Sequence, residues 1–290
     1  MKLIDGKKIA EEIRNSLAAE VAEIIDSGAE PPHLSAVLVG NDPASESYVN
    51  GKEKACKSIG FTSSVYRLPE TIKREELLEV VDFLNNDPDI NGFIVQLPLP
   101  KHIDANEILQ RINPSKDVDG FHPMNLGKMV TGLPSYIPAT PAGIMMLLEK
   151  EGIITEGKHC VVVGRSNIVG TPISILMSRK GVDATVTLCH SKTKNLEEIC
   201  SQADILIAAI GKPKFVKENM VKKGAVVIDV GIHRIEDDSP KGYHMVGDVD
   251  FDRVASKCSY ITPVPGGVGP MTIVGLLTNT MKSFKKEIYK

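Results

Sequence analysis

A chain of 290 residues, 42% hydrophobic and 24% charged with a formal net charge of −3, is long enough for two modest domains, each with its own core. Aromatic residues are 4% of the total, Trp is absent, and no stretch concentrates Lys and Arg, so partners that need stacking platforms or a basic face, nucleic acid and anionic membrane, are not expected. No apolar run reaches the ~20 residues of a membrane span, and the polar start Met1-Lys2-Leu3-Ile4-Asp5-Gly6-Lys7-Lys8 lacks the apolar core of a signal peptide.

Ile9, Ile13, Leu17, Val21 and Ile24 recur at helical spacing and predict an amphipathic helix over 9–25, ended by Gly28 and Pro31-Pro32. A short apolar strand over 34–39 follows. Asn41-Asp42-Pro43 supplies a cap and a first-turn proline for a helix over 44–59, stopped by Gly60. A strand over 63–68, a helix over 74–84, a strand over 92–97 ended by Pro98 and Pro100, and a short helix over 104–111 continue the alternation. Such an order predicts a mostly parallel sheet. The breaker-rich segment 132–141 marks a boundary. Beyond it a helix over 142–151 opens a second unit with strands over 159–163, 184–189, 205–210 and 225–230, and helices near 170–180 and 195–201. A last helix over 271–285 is expected to pack back on the first domain. The predicted division is 1–140, joined by 271–290, and 141–270.

The five cysteines are odd in number, and no two form a C-x-x-C pair. Cys160 and Cys189 fall in strand-like apolar runs, as small buried side chains do. A reduced, cytoplasmic chain without a metal site is the simplest reading.

The second unit opens with His159-Cys160-Val161-Val162-Val163, followed by Gly164-Arg165-Ser166-Asn167-Ile168-Val169-Gly170. A strand, a glycine loop and a helix in that order form the place where a pyrophosphate rests on a helix N-terminus in doubly wound, Rossmann-type folds. Gly164 allows a tight turn and Gly170 a close helix–sheet approach. The spacing is not G-x-G-x-x-G, so the order of elements carries the inference. After the next strand come His190-Ser191-Lys192-Thr193, with none of the acids that hold an NAD ribose. Arg165, Ser191 and Lys192 are suited instead to a 2′-phosphate, which favours NADP, although Lys192 reads equally as a solvated surface charge. Gly211-Lys212-Pro213 and Val230-Gly231-Ile232 each follow an apolar strand, as cofactor loops or as ordinary turns.

In the first unit, Tyr48 and Lys52 share one face of the predicted helix. Gln96 ends the third strand. Asp119 lies in the polar turn Asp117-Val118-Asp119-Gly120. Each alone has a bland reading, as a surface pair, a structural hydrogen-bonder and a common Asp-Gly turn, but the three segments are together expected to converge on one cleft.

Five segments, taken in order, resemble the bifunctional methylenetetrahydrofolate dehydrogenase/cyclohydrolase family: Ser45-x-x-Tyr48-Val49-x-x-Lys52-x-Lys54-Ala55, Val95-Gln96-Leu97-Pro98-Leu99-Pro100, Lys116-Asp117-Val118-Asp119-Gly120, Val163-Gly164-Arg165-Ser166-x-Ile168-Val169-Gly170, and Pro265-Gly266-Gly267-Val268-Gly269-Pro270-Met271-Thr272. The resemblance implies oxidation of 5,10-methylenetetrahydrofolate with NADP, then hydrolysis of the methenyl cation to 10-formyltetrahydrofolate, in one-carbon metabolism. It implies Lys52 as general acid/base, with Gln96 and Asp119 beside it at the catalytic centre. Tyr48 and Gln96 would line the folate site, and Asp119 would meet the pterin. Gly164, Arg165, Ser166, Gly170 and Ser191 would hold NADP, with Ile232 near the nicotinamide. Pro265 and Gly266 are assigned to substrate binding, with a structural hinge as the other reading of their loop. The resemblance further implies a homodimer, and without a long C-terminal extension no fused formyltetrahydrofolate ligase is expected in this chain. Two alternatives remain at this point: another two-domain NADP-dependent dehydrogenase acting on a small hydroxy or amino acid, and a nucleotide-binding sensor without catalysis.

Overall fold

The computed structural model describes residues 1–240 and 242–290. In chain order its elements are β1 (Lys2–Leu3), α1 (Gly6–Asp26), β2 (His33–Val39), α2 (Pro43–Ser58), β3 (Thr62–Leu68), α3 (Arg74–Asn86), β4 (Gly92–Val95), α4 (Ala105–Arg111), α5 (Pro123–Val130) and α6 (Ala139–Lys150). They continue with β5 (His159–Val163), α7 (Gly170–Ser178), β6 (Thr185–Cys189), α8 (Leu196–Ser201), β7 (Ile205–Ala208), β8 (Val226–Asp229), β9 (His233–Glu236), β10 (Tyr243–Val246), α9 (Phe251–Val254), β11 (Tyr260–Ile261) and α10 (Val268–Phe284). Two compact units result: Glu12–Ala139 with Ile273–Lys290, and Met1–Glu11 with Thr140–Thr272. Among the described residues no helix is long and apolar enough to cross a membrane.

The first of these is built on a three-stranded parallel sheet in the order β3-β2-β4. The central strand shows why its sequence is an almost unbroken apolar run. Leu34, Ala36 and Leu38 pack on one face with Leu17, Val21 and Val49. Val37 and Val39 pack on the other with Leu77, Val81 and Leu84. Side chains alternate across a strand, so a sheet covered by helices on both faces needs apolar residues at every position. Leu276, Leu277 and Met281 of α10 join the first of these cores, as the expectation for the last helix required.

The other unit carries a six-stranded sheet in the order β1-β11-β8-β7-β5-β6, in which every neighbouring pair is parallel. Four of these strands match the expected ones to within a residue or two at their ends. The outer two, β11 and β1, were not expected: two residues each are too short to show a period. Their pairing corrects the predicted 1–140 boundary, because the Lys2 N–H donates to Ser259 O at 2.7 Å and the Ile4 N–H to Ile261 O at 2.9 Å. The first eleven residues therefore belong with the six-stranded sheet. Three further differences matter for the site. The strand expected over 92–97 stops at Val95, so Gln96 follows it rather than ending it. The last helix starts at Val268. The antiparallel hairpin β9–β10 follows Ile232, and its residues, only one of them buried, were not read as strands.

Candidate active site

In the three-stranded unit α2 begins at the carboxyl end of β2. The Asp42 carboxylate accepts from the Ser45 N–H at 2.8 Å, and Pro43 occupies the first turn. This capped start satisfies an otherwise orphaned donor and fixes the helix rotation. Ser45, Val49 and Cys56 consequently face the core. Lys52 is half-buried on the same helix, and Tyr48, one turn earlier, is exposed.

The Lys52 Nζ donates to Gln96 Oε1 at 3.0 Å, and Gln96 Nε2 donates to Leu97 O at 2.7 Å. The amide is thus held with its oxygen towards the lysine. Burial pushes the Lys52 ammonium below its ordinary pKa, while the negative charge of Asp119 pulls the other way. Cys56, also near the lysine, has its thiol pushed up to about 12 by burial and so carries no charge at neutral pH. The Asp119 carboxyl is raised by burial and lowered by Lys52. An uncharged hydrogen-bond acceptor beside a desolvated lysine opposes the burial-driven shift towards the amine far less than a second carboxylate would.

The loop carrying Asp119 is shaped by residues that sequence reasoning passed over. The buried Asp117 accepts from the Phe121 N–H at 3.2 Å, the His122 N–H at 2.8 Å and Asn125 Nδ2 at 2.8 Å. Burial pushes its pKa up to about 7 against those three donors. Asn125 in turn accepts from the Tyr289 hydroxyl at 2.7 Å. Asn279 of α10 donates to Val118 O at 2.9 Å and Ile137 O at 2.8 Å. The closely spaced acids of Asp117-Val118-Asp119 were the visible signal; the roles of Asn125, Asn279 and Tyr289 had none.

In the six-stranded unit β5 lies between β6 and β7, so the chain leaves β5 towards one neighbour and later returns to the other. The carboxyl ends of such strands form the crevice where doubly wound folds bind nucleotide. Gly164 has φ +114°, and a Cβ there would strike the Ala209 carbonyl; a Cβ on Gly170 would strike the Gly164 carbonyl. The close approach expected of Gly170 is therefore to the first residue of its own loop, and any side chain would push the loop off the start of α7. Ser166 Oγ accepts from the Val169 N–H at 3.2 Å and the Gly170 N–H at 3.4 Å, which leaves its hydroxyl proton free to donate. The Gly164 N–H donates to Cys189 O at 2.9 Å. This bond sets the loop beside the end of β6, where Arg165 and Ser191 are both exposed.

No acid lies between His190 and Asn195, and Lys192 is exposed, its backbone N–H donating to His190 Nδ1. A loop whose two end glycines have no room for a side chain, a helix N-terminus and an exposed guanidinium fit the phosphates of a dinucleotide. Ile232 is exposed just after β8. Pro265 and Gly266 lie in this unit too: the Lys7 N–H donates to Gly266 O at 2.9 Å, which lays their loop on the first turn of α1.

Residues 4–119 match the family model for the tetrahydrofolate dehydrogenase/cyclohydrolase catalytic domain, and residues 138–288 match the model for the NAD(P)-binding domain of the same family. The chain is 58% identical over 293 residues to the bifunctional protein FolD of Bacteroides thetaiotaomicron, with 100% of both chains covered. Among solved structures it resembles the bifunctional FolD methylenetetrahydrofolate dehydrogenase/cyclohydrolase of Campylobacter jejuni, at 47% identity and a TM-score of 0.93 over 99% of each chain. The Trypanosoma brucei N5,N10-methylenetetrahydrofolate dehydrogenase-cyclohydrolase, complexed with NADP cofactor and inhibitor, is similar at 38% identity and a TM-score of 0.93, covering 99% of this chain and 98% of that one.

Proposed function

The chain belongs to the tetrahydrofolate dehydrogenase/cyclohydrolase family, and from that premise we propose how its residues divide two reactions between them. The protein is a bifunctional enzyme that oxidises 5,10-methylenetetrahydrofolate to the 5,10-methenyl cation with NADP and hydrolyses that cation to 10-formyltetrahydrofolate.

Bound NADP supplies the hydride acceptor for the first reaction. Gly164 and Gly170 keep the phosphate loop close to the start of α7, and Ser166 offers its hydroxyl proton. Arg165 and Ser191 meet the 2′-phosphate, the guanidinium as a paired donor and the hydroxyl as a neutral one. Ile232 borders the nicotinamide. The folate carbon that loses hydride sits between two nitrogens whose lone pairs stabilise the product cation. The protein's contribution to this step is therefore alignment.

Hydrolysis needs a proton acceptor. A free lysine, with a pKa of roughly 10.4, is protonated at neutral pH. Lys52 is desolvated, and the cationic substrate adds a like charge that favours the amine further. As the amine, Lys52 takes a proton from the water that adds to the methenyl carbon and returns one as the carbon–nitrogen bond opens. Gln96 aims the Nζ without adding charge. Asp119 accepts from pterin N–H groups, and Tyr48 lines the folate site. The enzyme works as a homodimer in the cytoplasm.

The observation that carries the hydrolytic assignment is the 3.0 Å bond between Lys52 Nζ and Gln96 Oε1, on a lysine that burial has depressed. The test mixes protein, methylenetetrahydrofolate and NADP, and follows NADPH together with methenyl absorbance. NADPH formation with transient methenyl is expected. NADPH formation with methenyl accumulating to the spontaneous hydrolysis rate would overturn the role given to Lys52.

A further inference from the structure

Two buried carboxylates of the six-stranded unit take no part in the roles above. Asp248 has no exposed surface, and Asp229 is 3% exposed. Asp248 Oδ2 accepts from the Ile210 N–H at 2.6 Å and the Gly211 N–H at 3.0 Å. Its Oδ1 accepts from the Lys212 N–H at 2.9 Å and from His233 Nε2 at 2.8 Å. Asp229 accepts from the Gly231 N–H at 3.0 Å, the Asp248 N–H at 2.8 Å and the Val249 N–H at 2.9 Å. Neither carboxylate needs a lysine or arginine, because seven donors, six of them backbone amides, satisfy the pair. The neighbouring glycines follow from this packing: a Cβ on Gly231 would strike the Asp248 carboxylate, and one on Gly247 would strike that of Asp229.

The loops so tied are the one after β7 and the one after β8, both at the carboxyl edge of the sheet. Ile232 belongs to the second of these loops and stands between two tied residues. Its predecessor Gly231 is held through its N–H by Asp229, and its successor His233 is held through its ring by Asp248. The backbone at Ile232 is therefore fixed from both sides, although the side chain itself is exposed.

We propose that Asp248, acting through His233 and the 210–212 backbone, is a positioning residue for the dehydrogenase reaction and not for the cyclohydrolase reaction. The proposal rests on the reading that Ile232 borders the nicotinamide. Hydride transfer is sensitive to alignment, and displacement by about an ångström costs on the order of a hundredfold. Hydrolysis of the methenyl cation needs Lys52 and water but no nicotinamide.

The test uses three variants of the full chain, each assayed for methylenetetrahydrofolate oxidation, for hydrolysis of supplied methenyltetrahydrofolate, and for NADP affinity by titration. His233→Leu removes the ring donor at a half-buried position. His233→Gln keeps an N–H donor at similar reach. Ile232→Ala probes the underlying reading. His233→Leu is expected to lower dehydrogenase kcat roughly tenfold or more, with hydrolysis within about twofold of the parent, and His233→Gln to recover most of the loss. Normal oxidation by His233→Leu, equal loss of both activities, or no recovery with His233→Gln each overturns the proposal. If Ile232→Ala leaves NADP affinity and oxidation unchanged, the reading of Ile232 and the proposal fall together. An impaired Ile232→Ala beside a normal His233→Leu removes only the positioning role.

Discussion

Lys52 and Gln96 are 44 residues apart in sequence, and their side chains meet at 3.0 Å. Parallel pairing makes the contact. β2 feeds directly into α2, and β4 lies beside β2 in register, with the Gln96 N–H donating to Val37 O at 2.9 Å. The carboxyl ends of two adjacent strands thus present the lysine and the amide to each other.

Replacing Lys52 by Gln removes the proposed proton acceptor while keeping a hydrogen-bonding side chain. Hydrolysis of supplied methenyltetrahydrofolate should fall by about 10² to 10⁴, with NADP affinity unchanged in a titration. A variant hydrolysing at the parent rate contradicts the assignment.

Asp119→Asn should move the pH profile of hydrolysis. The Asp119 charge favours the ammonium form of Lys52, against burial, which favours the amine. Removing that charge leaves burial less opposed and lowers the lysine's pKa further. If Lys52 is the proposed base, the ascending limb of kcat against pH should shift to lower pH, and if Asp119 meets the pterin as proposed, KM for the folate should rise. A limb that stays in place or moves up separates Asp119 from Lys52.

Arg165→Ala should weaken NADP more than NAD. A charge-assisted hydrogen bond is worth about 1.5–3 kcal/mol, or roughly ten- to a hundredfold in Kd. On the proposed role of Arg165, that loss applies only to the cofactor carrying the 2′-phosphate. Paired titrations with both nucleotides read the difference, and equal losses would place Arg165 elsewhere on the cofactor.

Asn279→Ala leaves Val118 O and Ile137 O without their shared donor at a buried position. The cost should be about 1–3 kcal/mol, seen as a lower Tm by calorimetry. Because Asp119 follows Val118, KM for the folate should rise as well, with NADP affinity unaffected. An unchanged Tm would mean that water replaces the amide without loss.

Most of the secondary structure was legible because it repeats locally. The run 34–39 is apolar at every position but Ser35 since both faces of β2 are covered. The Asp42-Pro43 start of α2 is written in residues that cap helices anywhere. The candidate residues were legible as types at strand and helix ends. Their partnership was not, because nothing near Lys52 in sequence points to Gln96. The helix α5 was missed, its cap being the ring of His122, which carries no strong capping signal.

By itself the sequence determined the β/α order, the glycine loop after β5, the lack of an acid after β6 and the set of chemical groups available for a folate and NADP. These depend on residue type and short spacing. The tertiary structure alone decided that residues 1–11 join the six-stranded sheet through β1 and β11, and that Tyr289 reaches Asn125 across 164 residues. It alone decided that Asp117, Asp229 and Asp248 spend their carboxylates on the backbone of loops. A two-residue strand has no period, and a buried carboxylate satisfied by amide N–H groups needs no partner that a sequence could display.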